Sequence, residues 1–265
     1  MHLKRFFVGA TIALTAAMAN AQSELSGYHQ YPQYRTMSGL PGSGFAVDPF
    51  GVVGIGAISL STPIAYSIGN GRFVIGAMST SNGYRPKFTF GDKNGLRGGN
   101  GTGQIMYGTA LGRYGTLTSS VMVLSGTKDQ AYNLHWAPPQ REGKVTYAVG
   151  VQDLIGDGGA SGTFVRGDGD NSRSLYAVAT GQVSTETYVS LGYGTRRFDG
   201  IFGNASTTVY RNTKGYVEYD TFNWNFGGSY IIPLGRREET ISSSLTLNAG
   251  LIRGKYLALS ANLSF

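Results

Sequence analysis

Tyr256-Leu-Ala-Leu-Ser-Ala-Asn-Leu-Ser-Phe265 ends the chain. From Leu257 every second residue is apolar (Leu257, Leu259, Ala261, Leu263, Phe265), and Tyr256, Ala258, Ser260, Asn262 and Ser264 fall between them. Successive side chains of a strand point to opposite faces, so this segment has one oily face and one small or polar face. About nine to eleven tilted residues cross the hydrocarbon core of a bilayer, which is the length of this stretch.

The same split recurs upstream. Val145, Tyr147, Val149 and Val151 alternate with Lys144, Thr146, Ala148, Gly150 and Gln152. Ile241, Leu245, Leu247, Ala249 and Leu251 oppose Thr240, Ser242, Ser244, Thr246, Asn248 and Gly250, and Trp224, Phe226, Tyr230 and Ile232 oppose Asn223, Asn225, Gly227 and Ser229. Alternation over about ten residues between turn-rich segments is the pattern of a transmembrane β-strand; strands of soluble sandwiches are shorter and carry more charge on the wet face. Twelve such stretches are read: 50–60, 71–80, 103–111, 115–125, 129–137, 143–152, 173–182, 185–195, 214–220, 222–232, 239–251 and 254–265. The expected fold is therefore all-β, an antiparallel transmembrane barrel of about twelve strands over residues 50–265, since an even number of antiparallel strands closes without an exposed edge. Tyr84, Tyr107, Tyr132, Trp136, Tyr193, Tyr219 and Tyr230 stand at strand ends and suit interfacial girdles, while inward Gly76, Gly108, Gly150, Gly192 and Gly194 remove bulk or relieve curvature.

Composition agrees. Charged residues make up 14% of the 265, where a water-facing globule has roughly 25%. Lys4 and Arg5 precede an uncharged run from Phe6 to Ala19 and the small-x-small site Ala19-Asn20-Ala21, the layout of a secretory signal peptide over residues 1–21. Residues 22–49, rich in Gln, Tyr, Gly, Ser and Pro, read as an irregular N-terminal segment. No later run reaches the length of an apolar helical span.

Enzyme chemistry finds little purchase. With no cysteine there is no disulfide, thiolate metal site or cysteine nucleophile. Beyond the leader the histidines are His29 and His135, too few for a multi-histidine metal site. His135 shares the inward face with Ala131, Asn133 and Ala137 and reads as a lumen histidine before a catalytic base. No phosphate-binding, dinucleotide or nucleophile-elbow motif occurs, and Asp168-Gly-Asp170-Asn171 lacks the glycine and terminal Glu of a calcium loop. The expectation is a non-enzyme with no cofactor, metal or nucleic-acid partner.

The last ten residues closely resemble the C-terminal assembly signal of Gram-negative outer-membrane barrels, with Tyr256, Leu263 and Phe265 in the signal positions. Three further segments combine charge, glycine and aromatics: Val149-Gly-Val-Gln-Asp153-Leu-Ile-Gly-Asp157-Gly158, Arg197-Phe198-Asp199-Gly200-Ile-Phe202-Gly203-Asn204 and Val217-Glu218-Tyr219-Asp220. Their motifs and order, with Ser61-Thr62-Pro63 ahead of them, resemble the YjbH-like family of outer-membrane barrels associated with exopolysaccharide systems; Gly203-Asn204 stands where that family has a double glycine. The resemblance implies an accessory role in exopolysaccharide secretion or assembly. Its expected partners are outer-membrane lipid, the barrel-assembly machinery, and an anionic polysaccharide or a periplasmic export protein. A diffusion porin, a structural barrel and, least, a barrel hydrolase are the alternatives.

Candidate binding residues are Asp153, Asp157, Arg196, Arg197, Phe198, Asp199, Phe202, Glu218 and Asp220. Asp153 and Asp157 can accept the free N–H groups of a glycine turn, Phe198 and Phe202 can bury a loop in the mouth, and Glu218 and Asp220 share an inward face with Tyr216. Bracing of the mouth and contact with a passing glycan both remain open. Arg166, Arg173, Arg196, Arg197 and Arg211 in or beside these segments raise the expectation of a positive constriction. With both termini periplasmic, the twelve stretches put the long segments 81–102, 153–172, 196–213 and 233–238 on the periplasmic side, against the ordinary rule of short periplasmic turns. A strand hidden in 196–213, where Thr207, Val209 and Arg211 alternate, would move everything before it.

Overall fold

The computed structural model describes residues 37–80, 101–124, 130–139, 145–156, 173–198, 200–221, 224–237, 240–252, 254 and 256–265. The signal peptide, residues 22–36, Tyr84, Asp157, Arg166, Asp168, Asp170 and Asp199 lie outside them. Twelve strands follow in chain order: β1 (Phe73–Thr80), β2 (Gly101–Ala110), β3 (Thr116–Leu124), β4 (Gln130–Ala137), β5 (Thr146–Gln152) and β6 (Ser174–Ser184), then β7 (Thr187–Gly194), β8 (Gly200–Tyr210), β9 (Thr213–Tyr219), β10 (Trp224–Arg237), β11 (Thr240–Ile252) and β12 (Tyr256–Ser264). Each pairs antiparallel with its chain neighbours, and β1 pairs with β12 to close the barrel. Closure gives every strand two partners, as a hydrocarbon surrounding demands. The fold is the antiparallel twelve-stranded barrel of outer-membrane type that the alternation predicts.

Facing follows the alternation too. Leu247, Leu259, Leu263 and Phe265 are exposed outward, whereas Asn248, Ser260, Asn262 and Ser264 are buried inward. Tyr132, Tyr193 and Trp224 lie outward near one end, and Phe73, Tyr107, Trp136, Tyr210, Tyr230 and Phe265 near the other, so aromatics flank the apolar band on both sides. At the closing seam Phe73 and Phe265 exchange backbone hydrogen bonds of 2.8 and 3.1 Å, and their rings stack with centroids 5.7 Å apart.

Two errors of strand assignment compensate. Residues 50–60 form no wall strand: Gly54 and Gly56 take φ of 102° and 93°, which breaks the extended backbone, and the segment folds back through bridges from Val47 to Val53 and Ala57. The missing strand is β8, whose outward face (Ile201, Gly203, Ala205, Thr207, Val209) has too little apolar bulk to announce itself. Residues 233–237, expected in a connection, continue β10. Restoring β8 removes the inverted topology. The β1–β2 and β5–β6 connections, the long ones, join strand ends at the mouth opposite Phe265, hereafter the loop mouth. The two-residue turns 185–186 and 211–212 join strands at the terminal mouth, beside Phe265, where β10 ends and β11 begins as well.

The lumen is not empty. Residues 37–72 run inside it as a plug, and Met37 to Pro49 and Gly56 to Ile68 are buried throughout. Residues 37–49, expected as an irregular segment ahead of the barrel, are therefore part of its core. Three apolar clusters join plug to wall: Phe45, Tyr66 and Ile68 with Val74, Met106 and Tyr188; Met37, Ile58 and Leu60 with Met78, Tyr216 and Ile252; and Leu40 and Ala65 with Tyr176, Phe198 and Phe202. Gly108 lets the plug approach closely: a Cβ there would collide with the carbonyls of Ile68 and Gly69. Gly150 and Gly192 face the Tyr176 and Phe202 rings, so inward glycines make room for lumen aromatics.

Candidate functional site: the latched plug

An irregular segment buried in a barrel carries backbone N–H and C=O groups that find no ladder partner, and each left unpaired costs about 1–3 kcal/mol. The inward polar face of the wall supplies partners. Thr180 accepts from the Ala65 N–H (2.7 Å), Thr118 from Ile68 (3.0 Å) and Ser206 from Ile58 (3.1 Å). Asn262 donates to the Gly44 carbonyl (2.9 Å), Gln152 to that of Ser38 (2.7 Å), and Ser120 to that of Gly39.

Near the loop mouth these contacts concentrate on one carboxylate. Glu218, fully buried on β9, accepts from the backbone N–H groups of Leu60 (3.0 Å), Ser61 (3.0 Å) and Thr62 (3.2 Å). It also accepts from the hydroxyls of Ser61 (2.8 Å) and Thr62 (2.9 Å) and from Asn225 Nδ2 (2.9 Å). Pro63 follows, so the plug turns back where three consecutive donors converge, and an anion is the natural partner for such a nest. The surroundings continue the network. Arg197 Nη2 donates to Ser61 Oγ (3.2 Å), linking a buried guanidinium to Glu218 through one hydroxyl. Asn204 donates to Thr62 Oγ1 (2.9 Å), and Asn225 reaches Asp220 (3.2 Å) as well as Glu218.

The described residues among the predicted binding residues thus lie at one end of the lumen, and Asp157 and Asp199 are outside the described residues. Phe198 and Phe202 pack on each other with centroids 5.1 Å apart and on Tyr176 at 5.2 and 6.5 Å. Asp153, at a φ of 58°, is buried, donates its N–H to Asn133 Oδ1 (2.9 Å) and accepts from the Gly156 N–H (3.2 Å), the glycine-turn role expected of it. Arg196 is half-buried beside the buried Arg197 in a 3-10 turn. The expected positive constriction does not form among the described residues: Arg173 is exposed and bonds the Leu154 and Ile155 carbonyls, Arg197 is buried in the latch, and Arg211 sits at the opposite mouth. Arg173, Arg196 and Arg197 share the loop mouth but are spent on carbonyls, half-buried or buried in the latch, and β8 carries Arg211 to the other end. His135 is buried with Nδ1 2.7 Å from the Tyr176 hydroxyl, a lumen contact between two rings.

No family model and no curated protein matches the chain. Among solved structures it is similar to a KdgM porin in complex with disordered oligogalacturonate, at 9% identity and a TM-score of 0.47, over 73% of this chain and 98% of that one. It is similar to the KdgM porin without that description at 10% identity and 0.46, over 72% and 98%, and to an outer membrane channel from Pseudomonas putida F1 at 12% and 0.38, over 73% and 94%. The YjbH-like resemblance receives no support from these comparisons.

The latch also uses residues not among the candidate binding residues: Leu60 and Asn225, and Ser61, Thr62 and Asn204, which entered only through the family resemblance. The signal was in view. Gly39, Gly42, Gly44, Gly51, Gly54 and Gly56 crowd a stretch otherwise rich in apolar residues, a composition poor for a strand and suited to a tightly folded buried loop.

Proposed function

We propose that this chain is a non-enzymatic outer-membrane barrel, exported through a cleaved signal peptide, whose lumen is closed by its own N-terminal segment and passes polar solutes, saccharides foremost, when that plug withdraws. The supporting observation is the chemistry of the inward wall. Hydroxyls and amides that now bond the plug backbone would bond water or sugar hydroxyls equally well. Several wall atoms, Ser229 Oγ, Thr246 Oγ1, Asn248 Nδ2 and Ser260 Oγ, are buried with no partner among the described residues. A barrel serving only as a solid anchor would be more stable with apolar residues there. The test is conductance in planar bilayers together with liposome swelling in a neutral oligosaccharide. Wild-type protein should be mostly closed and Glu218→Leu should conduct and admit the sugar. A Glu218→Leu barrel that folds, shown by heat-modifiable migration, and stays closed overturns the proposal.

Service to exopolysaccharide secretion or assembly is the narrower form, with the barrel-assembly machinery, an anionic polysaccharide or a periplasmic export protein as partners. The second and third motifs meet at the latch, where Arg197 packs on Phe198 and bonds Ser61 beside Glu218, and Asp153 of the first is buried at the same end of the lumen, which supports this form. Polymer yield from a deletion strain complemented with wild-type protein or with Glu218→Leu tests it; equal yield from the uncomplemented strain overturns this form and leaves the gated barrel standing.

A further inference from the structure

At the terminal mouth a cavity of about 400 Å³ lies between the plug and the wall. Its plug side is formed by Asp48–Phe50 and Gly54–Gly56, and its wall side by the β6–β7 and β8–β9 hairpins with part of β10. The volume falls within the range of small-molecule sites, about 300–1,000 Å³. It is separate from the Glu218 latch, which lies at the other end of β9.

Lys214 governs its chemistry. The side chain lines the cavity yet is only 5% exposed. Its ammonium donates to Thr208 Oγ1 (3.0 Å) and stands 5.7 Å from the Tyr188 ring centre. An ammonium has three N–H donors, and among the described residues one is used. Glu186 acts on it electrostatically from the cavity rim without forming an ion pair. Asp48, the other carboxylate here, is engaged in the plug turn, its Oδ1 accepting from the Phe50 and Val52 N–H groups at 2.9 and 2.7 Å. A buried ammonium with unspent donors calls for an anion that enters the cavity. Arg211 adds a second cation, and Gln182, Thr185 and Asn212 add amide and hydroxyl groups. Phe50 and Ile55, 61% and 41% exposed, present apolar faces of the kind on which the C–H side of a sugar ring rests.

We propose that this cavity is a binding subsite for a short acidic saccharide, its carboxylate on Lys214, its hydroxyls on Asn212 and Thr185, and its ring against Phe50. The inference rests on the reading of the barrel as a saccharide passage and names the class of sugar. Because the plug forms one side of the cavity, an occupant touches the segment that must leave.

The test is isothermal titration calorimetry on the full-length wild-type barrel in detergent. The probes are a glucuronate-containing disaccharide, the neutral disaccharide cellobiose, acetate, and a dipeptide with a free carboxylate. The acidic disaccharide should bind at least about tenfold tighter than each of the others. Lys214→Met should erase that preference and Lys214→Arg should keep it. Equal binding of acidic and neutral disaccharides in wild type, which needs no variant to fold, overturns the proposal, as does a dipeptide or acetate that binds as tightly, or an acidic preference that survives in Lys214→Met. Binding is read on the closed barrel, so failure here is distinct from failure of Glu218→Leu to conduct.

Discussion

The two mouths of the lumen are built on opposite principles. At the loop mouth the plug turn 60–62 is held by a buried carboxylate, and Asn204, Arg197 and Asn225 brace the network around it. At the terminal mouth the plug meets the wall across an open cavity, with Phe50 and Ile55 exposed and Lys214 bonding Thr208 alone among the described residues. Charge-assisted bonds in a buried site are strong and directional, whereas apolar side chains at a wet rim contribute little. The plug is therefore held by a carboxylate at the loop mouth, while at the terminal mouth residues 67–72 bond β2 and β3 on the way into β1 and the cavity leaves another side approachable. A solute arriving at the terminal mouth meets that cavity first.

The largest effect expected from breaking this contrast comes from Glu218→Leu. It orphans three backbone N–H groups and two hydroxyls at about 1–3 kcal/mol each, so the plug should become protease-sensitive and the barrel conducting. Glu218→Gln, which keeps one acceptor oxygen, should fall between, as single-channel open probability will show.

The wall between the mouths gives the next effect. Leu247→Arg puts charge on the lipid face and should lower folding stability by about 2–4 kcal/mol. Asn248→Arg points inward, but Asn248 already accepts the Tyr216 hydroxyl at 3.0 Å in a filled lumen, so overpacking should cost about 1–3 kcal/mol. Repeating both in Glu218→Leu sharpens the point: urea midpoints in vesicles should show Asn248→Arg relieved and Leu247→Arg unchanged.

Smaller again is Phe265→Ala at the terminal mouth, which removes the ring stacked on Phe73 and should cost about 0.5–1.5 kcal/mol, with folding yield falling further if Phe265 is deleted together with its backbone pair to Phe73. The smallest is Phe50→Ser, within about 0.5 kcal/mol of wild type by urea midpoint and still closed in bilayers. Should Phe50→Ser conduct as fully as Glu218→Leu, the plug is held from the terminal mouth and the contrast is reversed.

Much of the wall was legible in advance. The facings of β5, β11 and β12 follow from a period of two, because one face meets an apolar surrounding and the other does not. The inward placement of Tyr216, Glu218 and Asp220 follows in the same way, and all three are buried. β8 was hidden because Gly203 and Ala205 stand where lipid-facing bulk was sought. Residues 50–60 misled for the converse reason: apolar content alone does not separate a wall strand from a buried hairpin.

What the sequence determined by itself is most of the wall: eleven of its twelve antiparallel strands, their facing and a C-terminal strand ending in an outward phenylalanine. These are local consequences of alternation, legible within ten residues. The tertiary structure alone decided that the lumen is filled, that Glu218 meets a turn 156 to 158 residues away, and that Lys214 faces a cavity instead of the latch. A closed barrel brings distant segments to one axis, and the partner of an inward polar residue depends on what the chain places along that axis, which no local period encodes.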